Sequence, residues 1–165
     1  MLAAAQFGVY FWIEEIVLAK YVITSKRGAP PQGAYSQGWR AGDFVFVTGT
    51  GPVDPATNKM SGETIEEQTE LTIRNMESIL EADGASLADV VKVTSHLSDI
   101  TLFSRYNTTY ASIFQKPFPV RTTVESGFAD PKMLIELDCI AYAPKSTASK
   151  KASAKKPAPK KIKKR

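Results

Sequence analysis

One cysteine and one histidine in 165 residues leave little room for several kinds of chemistry. Cys139 has no partner in the chain, so no intrachain disulfide can form, which fits a reducing compartment such as the cytoplasm. With His96 it supplies too few soft ligands for a zinc site. A catalytic Cys139–His96 pair is conceivable, but neither residue sits in a motif that favours it. Long apolar runs are missing too. The uncharged stretch that opens the chain ends at Ile13, before Glu14 and Glu15, too short for a membrane span. Residues 1–19 carry no basic residue ahead of the apolar part and no arginine, so they read poorly as a secretory or mitochondrial leader. They are expected to form an N-terminal extension, either a short helix or, less simply, an amphipathic partner- or membrane-binding helix. Interfacial helices usually carry Lys/Arg on the polar face, which weighs against the second.

Basic residues are scarce in the body of the chain, although the net charge is +4. Ten of the 21 Lys/Arg lie between Lys145 and Arg165, where there is no acid. The first 144 residues hold 11 Lys/Arg against 17 Asp/Glu, so the body is mildly acidic. The basic segment interleaves Lys with Ala, Ser and Pro, a composition that cannot build a core and reads as a disordered tail over 145–165. Such a tail suits non-specific contact with nucleic acid or another polyanion.

What is present between residues 20 and 144 is one domain's worth of pattern, with 43% apolar residues over the whole chain. Lys20 to Thr24, Ser36 to Arg40 and Phe44 to Thr48 read as strands, the last two joined at Ala41-Gly42-Asp43 as a hairpin. Asp54 to Gly62 reads as a polar loop. Thr64 opens a helix with a Thr-x-x-Glu capping box to Glu67, and Ile65, Thr69, Thr72, Met76, Ile79 and Leu80 form its inner face. Gly84 supplies the stop. Val90 to Leu97 alternates as a strand. Phe103, Tyr106, Tyr110, Ile113 and Phe114 mark one face of a second helix, ended by Pro117 and Pro119. Val120 to Glu125 and Leu134 to Tyr142 are the last strands. The order predicts an α+β domain, a mixed six-stranded sheet with two helices on one face. Phe46, Val93 and Leu137 are expected to be too many for the space under two helices, which leaves the opposite face in need of cover, by oligomerisation.

Three stretches offer chemistry. In Gly33-Ala34-Tyr35-Ser36-Gln37 a tyrosine follows a glycine turn and can present its hydroxyl, though a core-edge tyrosine explains it equally simply. Arg121, in Pro119-Val120-Arg121-Thr122-Thr123-Val124, lies between apolar residues on a strand. A guanidinium that cannot be deprotonated needs an anion if it points inward, either a permanent partner such as Glu125 or Glu136 or a bound carboxylate, whose two oxygens match its fork. Taken alone, Arg121 favours the permanent salt bridge. Glu136 and Asp138 share a face of the last strand among apolar residues, an arrangement suited to a general base or simply to a half-exposed sheet face.

Their order along the chain adds information that none has alone. Gly-Ala-Tyr-Ser-Gln at 33–37, Gly42-Asp43-Phe44-Val45-Phe46-Val47-Thr48-Gly49, Pro52-Val53-Asp54-Pro55, Glu66-Glu67-Gln68-Thr69, and Gly84 followed by Leu87-Ala88-Asp89-Val90-Val91-Lys92 come first. Asn107-x-x-Tyr110-x-x-x-Phe114, Pro119-x-Arg121-Thr122-Thr123-Val124 and the Ile-Glu-Leu-Asp-Cys-Ile-Ala run at 135–141 follow. Together, over about residues 20–143, they resemble the RidA (YjgF/L-PSP) family. The resemblance implies a chorismate-mutase-like fold, a homotrimer with clefts between subunits, and no metal or cofactor. It also implies hydrolysis of reactive 2-imino or 2-enamino acids to 2-oxo acids and ammonia. On this basis Arg121 and Glu136 are the expected catalytic residues. Arg121 would hold the substrate carboxylate and Glu136 would orient or deprotonate water, with Tyr35, Gly49, Asn107 and Thr123 completing the pocket. Departures exist. Thr123 stands where many members have cysteine, which excludes a thiol-dependent role, and Thr48-Gly49-Thr50 replaces Ser-Gly-Gln. Both bear on substrate preference. Two other functions compete: a binder of small carboxylates without turnover, and an RNA-acting endoribonuclease or translation inhibitor. An acidic body without a His pair argues against the latter.

Overall fold

Alternation along Val93–Leu97 and Ile135–Tyr142 fixes which side of each strand meets the helices. The computed structural model describes residues 20–145, and residues 1–19 and the segment after Lys145 lie outside it. The expectations for both ends therefore fall outside the described residues.

The strands are β1 (Lys20–Ile23), β2 (Gly38–Ala41), β3 (Phe44–Thr50), β4 (Val53–Asp54), β5 (Lys59–Met60), β6 (Val90–Leu97), β7 (Val120–Glu125) and β8 (Ile135–Tyr142). The helices are α1 (Ile65–Glu81) and α2 (Phe103–Ile113). One six-stranded sheet runs in the order β1-β2-β3-β8-β6-β7. Its pairs are antiparallel except β6–β7, which are parallel because α2 and its flanking turns carry the chain back between them. The molecule is α+β, a mixed sheet with two helices, as the sequence order predicts. The segment read as a polar loop holds a small separate hairpin, β4 with β5. Asn58, in the left-handed region with φ 54°, makes its turn.

Helix α1 starts as its sequence requires. The Thr64 hydroxyl accepts from the Glu67 amide while the Glu67 carboxylate accepts from the amide of Thr64. The bonds from the Glu63 and Thr64 amides hold the Glu67 carboxyl below the usual carboxylate range. Gly84, with φ 78°, carries the chain past the helix end in a conformation other residues resist.

The strand register defines two faces. One row, Ile23–Gly38–Val47–Cys139–Val93–Arg121, crosses all six strands. Its apolar members are buried against the helices with Ile73, Met76, Leu80 and Tyr106. The next row, Val22–Trp39–Phe46–Ile140–Lys92–Val120, lies on the other side of the sheet, and Val22, Trp39, Phe46 and Val120 there are exposed. This bears out the expectation that Phe46, Val93 and Leu137 do not all lie under the helices. Val93 and Leu137 are fully buried beneath the helices, and of the three residues judged too many for that space only Phe46 faces away. The strand pleat, not the volume under the helices, makes the division. The row assignment also rules out the Cys139–His96 pair. Cys139 is buried among core residues opposite Val93, whereas His96 lies opposite Glu136 on the other face. Burial pushes the Cys139 thiol up to about 12, so it is not a nucleophile at neutral pH.

Candidate active site

The bulge between Val47 and Thr50 lets β3 bring its backbone against the carboxylate of β8. A Cβ at Gly49 would stand 2.5 Å from Glu136 Oε1 and 2.8 Å from its Cδ, so only glycine permits this approach. Gly49 and Glu136 form the floor of a cavity of about 760 Å³. Tyr35 and Gln37 line it from the segment before β2, Asn58 and Met60 from the β4–β5 hairpin, and Met133 from the approach to β8. The Tyr35 hydroxyl accepts from the Gln32 amide at 3.0 Å, which fixes the ring across the Pro30-Pro31 turn. Gln37 is buried and fastens that turn. It accepts from the Ser25 amide at 2.7 Å and donates to the Ala29 carbonyl at 2.7 Å.

Arg121 stands elsewhere. On β7, at the end of the buried row, its side chain lies against α2, with the guanidinium carbon 4.5 Å from the Tyr110 ring centre, 5.1 Å from Tyr106 and 5.7 Å from Phe103. Nη2 donates to Asn107 Oδ1 at 2.6 Å and Nη1 to the Tyr106 hydroxyl at 3.4 Å. Among the described residues Arg121 makes no ion pair. Glu125 accepts from the Ile100 amide, and Glu136 lies against Gly49. The permanent salt bridge that Arg121 taken alone favours is absent from the described residues. Two of the five guanidinium N–H groups are used, which leaves three for a ligand.

The structure thus gathers Tyr35, Gly49 and Glu136 at one place and Arg121 and Asn107 at another. Thr123, two residues along β7 and opposite buried Ser95, shares the side of Arg121. Glu136 alternates with the buried Ile135 and Leu137 and so belongs to the opposite side of the sheet from Arg121, two strands away. Within one chain the six expected site residues therefore fall into two groups. Asn107 does not face the cavity but holds the arginine. The strand pleat causes the split: Arg121 pairs in register with a core position and Glu136 does not.

Two supports of Arg121 escape a reading of the sequence alone. Tyr106 reads as one more apolar position of the α2 stripe, yet its hydroxyl is 2.6 Å from Ser95 Oγ, and both residues are fully buried. Burial raises the Tyr106 phenol above its ordinary range, against the opposing effects of Ser95 and the Arg121 charge, so it remains a proton donor. The available signal was a serine at an inward position between Val93 and Leu97, which calls for a partner.

Residues 26–143 match the family model described as Endoribonuclease L-PSP. The chain belongs to the RidA (YjgF/L-PSP) family. It is 42% identical over 125 residues to a RutC family protein of Pyrococcus abyssi, covering 76% of this chain and 98% of that one. It is 37% identical over 122 residues to the chloroplastic Reactive Intermediate Deaminase A of Arabidopsis thaliana, covering 74% of this chain and 65% of the relative. Among solved structures, RidA from an Antarctic Psychrobacter superposes with a TM-score of 0.71 at 30% identity, over 74% of this chain and 98% of that one. E. coli TdcF with bound serine superposes with a TM-score of 0.69 at 28% identity, over 74% and 98%.

Proposed function

We propose that this RidA-family chain hydrolyses reactive 2-imino acids to 2-oxo acids and ammonia, in sites built between copies of itself. The observation that carries the reading is Arg121. It is half-buried, caged by aromatic rings and without an ion pair among the described residues, yet it keeps three N–H groups in a planar fork. Such a group is made for a carboxylate, held by two parallel charge-assisted hydrogen bonds. Relatives point the same way: one is named a reactive intermediate deaminase, and another was solved with serine, a small carboxylate, bound.

A substrate carboxylate on Arg121 of one copy would place the adjacent imine carbon against the Tyr35–Gly49–Glu136 cavity of its neighbour. A homotrimer would hold three such clefts. Glu136 takes a proton from water as the oxygen attacks the imine carbon. The resulting tetrahedral carbon bears hydroxyl and amino groups. From this adduct of the protonated imine, Glu136 returns its proton to nitrogen and then takes up the hydroxyl proton as the C=O double bond forms and the C–N bond breaks, releasing ammonia and a 2-oxo acid. Positioning and proton transfer suffice for these steps. Thr123 and Asn107 remain on the arginine side, Thr123 along the same strand and Asn107 by setting the guanidinium.

The test generates 2-aminoacrylate with a serine dehydratase and follows its loss by absorbance. Acceleration above buffer is expected for the native chain. Arg121→Ala should reduce kcat/KM by roughly 30- to 150-fold, the loss of about 2–3 kcal/mol of charge-assisted bonding. Tight 2-oxobutanoate binding without any acceleration would reduce the protein to a binder.

A further inference from the structure

We infer that Tyr106, braced by Ser95, is a positioning residue that sets the Arg121 guanidinium for a substrate carboxylate. The inference rests on the carboxylate-binding reading of Arg121. Ser95 occupies an inward position on β6 between Val93 and Leu97, where an alanine or valine would pack without a polar atom to satisfy. Tyr106 fills the α2 side of the same space, where phenylalanine would supply the same ring. The two hydroxyls meet at 2.6 Å with both side chains fully buried. A buried hydroxyl pair is worth little net stability against an apolar pair of the same shape, because both hydroxyls must be desolvated. Core stability therefore does not account for them.

Arg121 does. It donates through Nη1 to the Tyr106 oxygen at 3.4 Å, and the contact with Ser95 Oγ fixes where that oxygen stands. Asn107 takes Nη2 from the next position of the same helix. Two acceptors on adjacent residues of α2 define the plane of the guanidinium, and the Tyr106 and Tyr110 rings keep the arginine from swinging away. The unused N–H groups are thereby aimed before a ligand arrives, which lowers the ordering cost of binding. Tyr106 does not need to touch the substrate.

The experiment measures 2-oxobutanoate binding by calorimetry and imine deamination kinetics for the native chain, Tyr106→Phe and the Ser95→Ala/Tyr106→Phe double variant. Loss of one hydrogen bond to a charged group predicts Kd and KM raised by about fivefold to tenfold in both variants. It also predicts kcat held within about twofold, since the groups that act on water are untouched. The double variant should melt no lower than the native chain, because no buried hydroxyl is left unpaired; a role confined to packing predicts lowered melting with unchanged Kd. Native binding and turnover with Kd and KM unchanged in both variants overturn the role of Tyr106 while leaving Arg121 intact as the carboxylate site. Failure of the native chain both to bind 2-oxobutanoate and to deaminate overturns the reading of Arg121, and this inference with it.

Discussion

At the scale of single residues, the contact between Gly49 and Glu136 ties one backbone position to the proposed water-activating group. The atom that a new Cβ would strike is the far end of a flexible side chain, not backbone. Gly49→Ala should therefore cost less than about 1 kcal/mol of stability, in the range of mild substitutions. It should push the carboxylate off its seat and lower kcat by tenfold or more, with KM nearly unchanged because Arg121 is untouched. Steady-state kinetics beside a thermal melt would check both halves, and a raised KM at full kcat would count against the assigned role of Glu136. Residue identity was well legible in the sequence: Arg121, Glu136, Gly49 and Tyr35 all stand where chemistry is possible. Their grouping was not legible. A strand exposes two faces, and only the register against Val93 and His96 tells that Arg121 and Glu136 point to different ones. Nor was it visible that Asn107 serves the arginine, because that depends on how α2 lies on β7.

Among elements, the end of the sheet away from the cavity is held by one buried ion pair. Arg40 of β2 donates through Nε to Asp83, just past α1, and through Nη1 to the Ala143 carbonyl at 2.8 Å, after β8. Asp83 also accepts from Tyr21 of β1 at 2.8 Å and from Lys145 at 2.9 Å. Lys145, read from the sequence as the first residue of the tail, is thus tied to the folded body. Burial alone would raise the Asp83 carboxyl, but the bonds from Lys145, Arg40 and Tyr21 outweigh it and hold the group below its ordinary range. A carboxylate with a lowered folded-state pKa stabilises the fold at pH values above its unfolded value, about 4. That contribution is lost as pH falls from there through the lowered native value. Asp83→Asn should remove about 3 kcal/mol at neutral pH, the cost of leaving a buried cation unpaired. It should also flatten the acid limb of a urea-stability profile below about pH 4. A variant with the native acid limb would show that other carboxylates carry it. The element boundaries were legible wherever local signals were strong. Val93–Leu97 and Ile135–Ala141 alternate in burial, and Thr64 caps through Glu67. The β4–β5 hairpin was not, because two-residue strands carry no period and depend on a turn at Asn58.

On the scale of the whole molecule, the uncovered sheet face gives the split site its meaning. Trp39, Phe44, Phe46, Val120 and Tyr142 are exposed there, each at 39% or more. Phe44 and Tyr142 are paired across β3 and β8 with ring centres 5.4 Å apart. An apolar patch such as the one over β2, β3 and β8, bounded by Lys92 on β6, is suited to burial against other copies. Phe46→Lys, which sets a charge in its middle, should leave a folded monomer by analytical ultracentrifugation with deaminase activity lost. A monomer of undiminished activity would mean that one chain suffices. Sequence alone indicated that a face would need cover but not which residues formed it; of Phe46, Val93 and Leu137, only Phe46 lies there.

The proposed site needs Arg121 of one copy to work with Glu136 of another. The measurement is complementation. Arg121→Ala and Glu136→Ala chains, each reduced to about a few per cent of native activity or less when alone, are unfolded together in equal amounts, refolded, and assayed for 2-aminoacrylate hydrolysis. Random assembly leaves both native groups together in about a quarter of the sites, so activity should return to about a quarter of the native level. Refolded mixtures that form the native oligomer yet stay inactive, while native chains recover under the same conditions, would contradict a site shared between subunits.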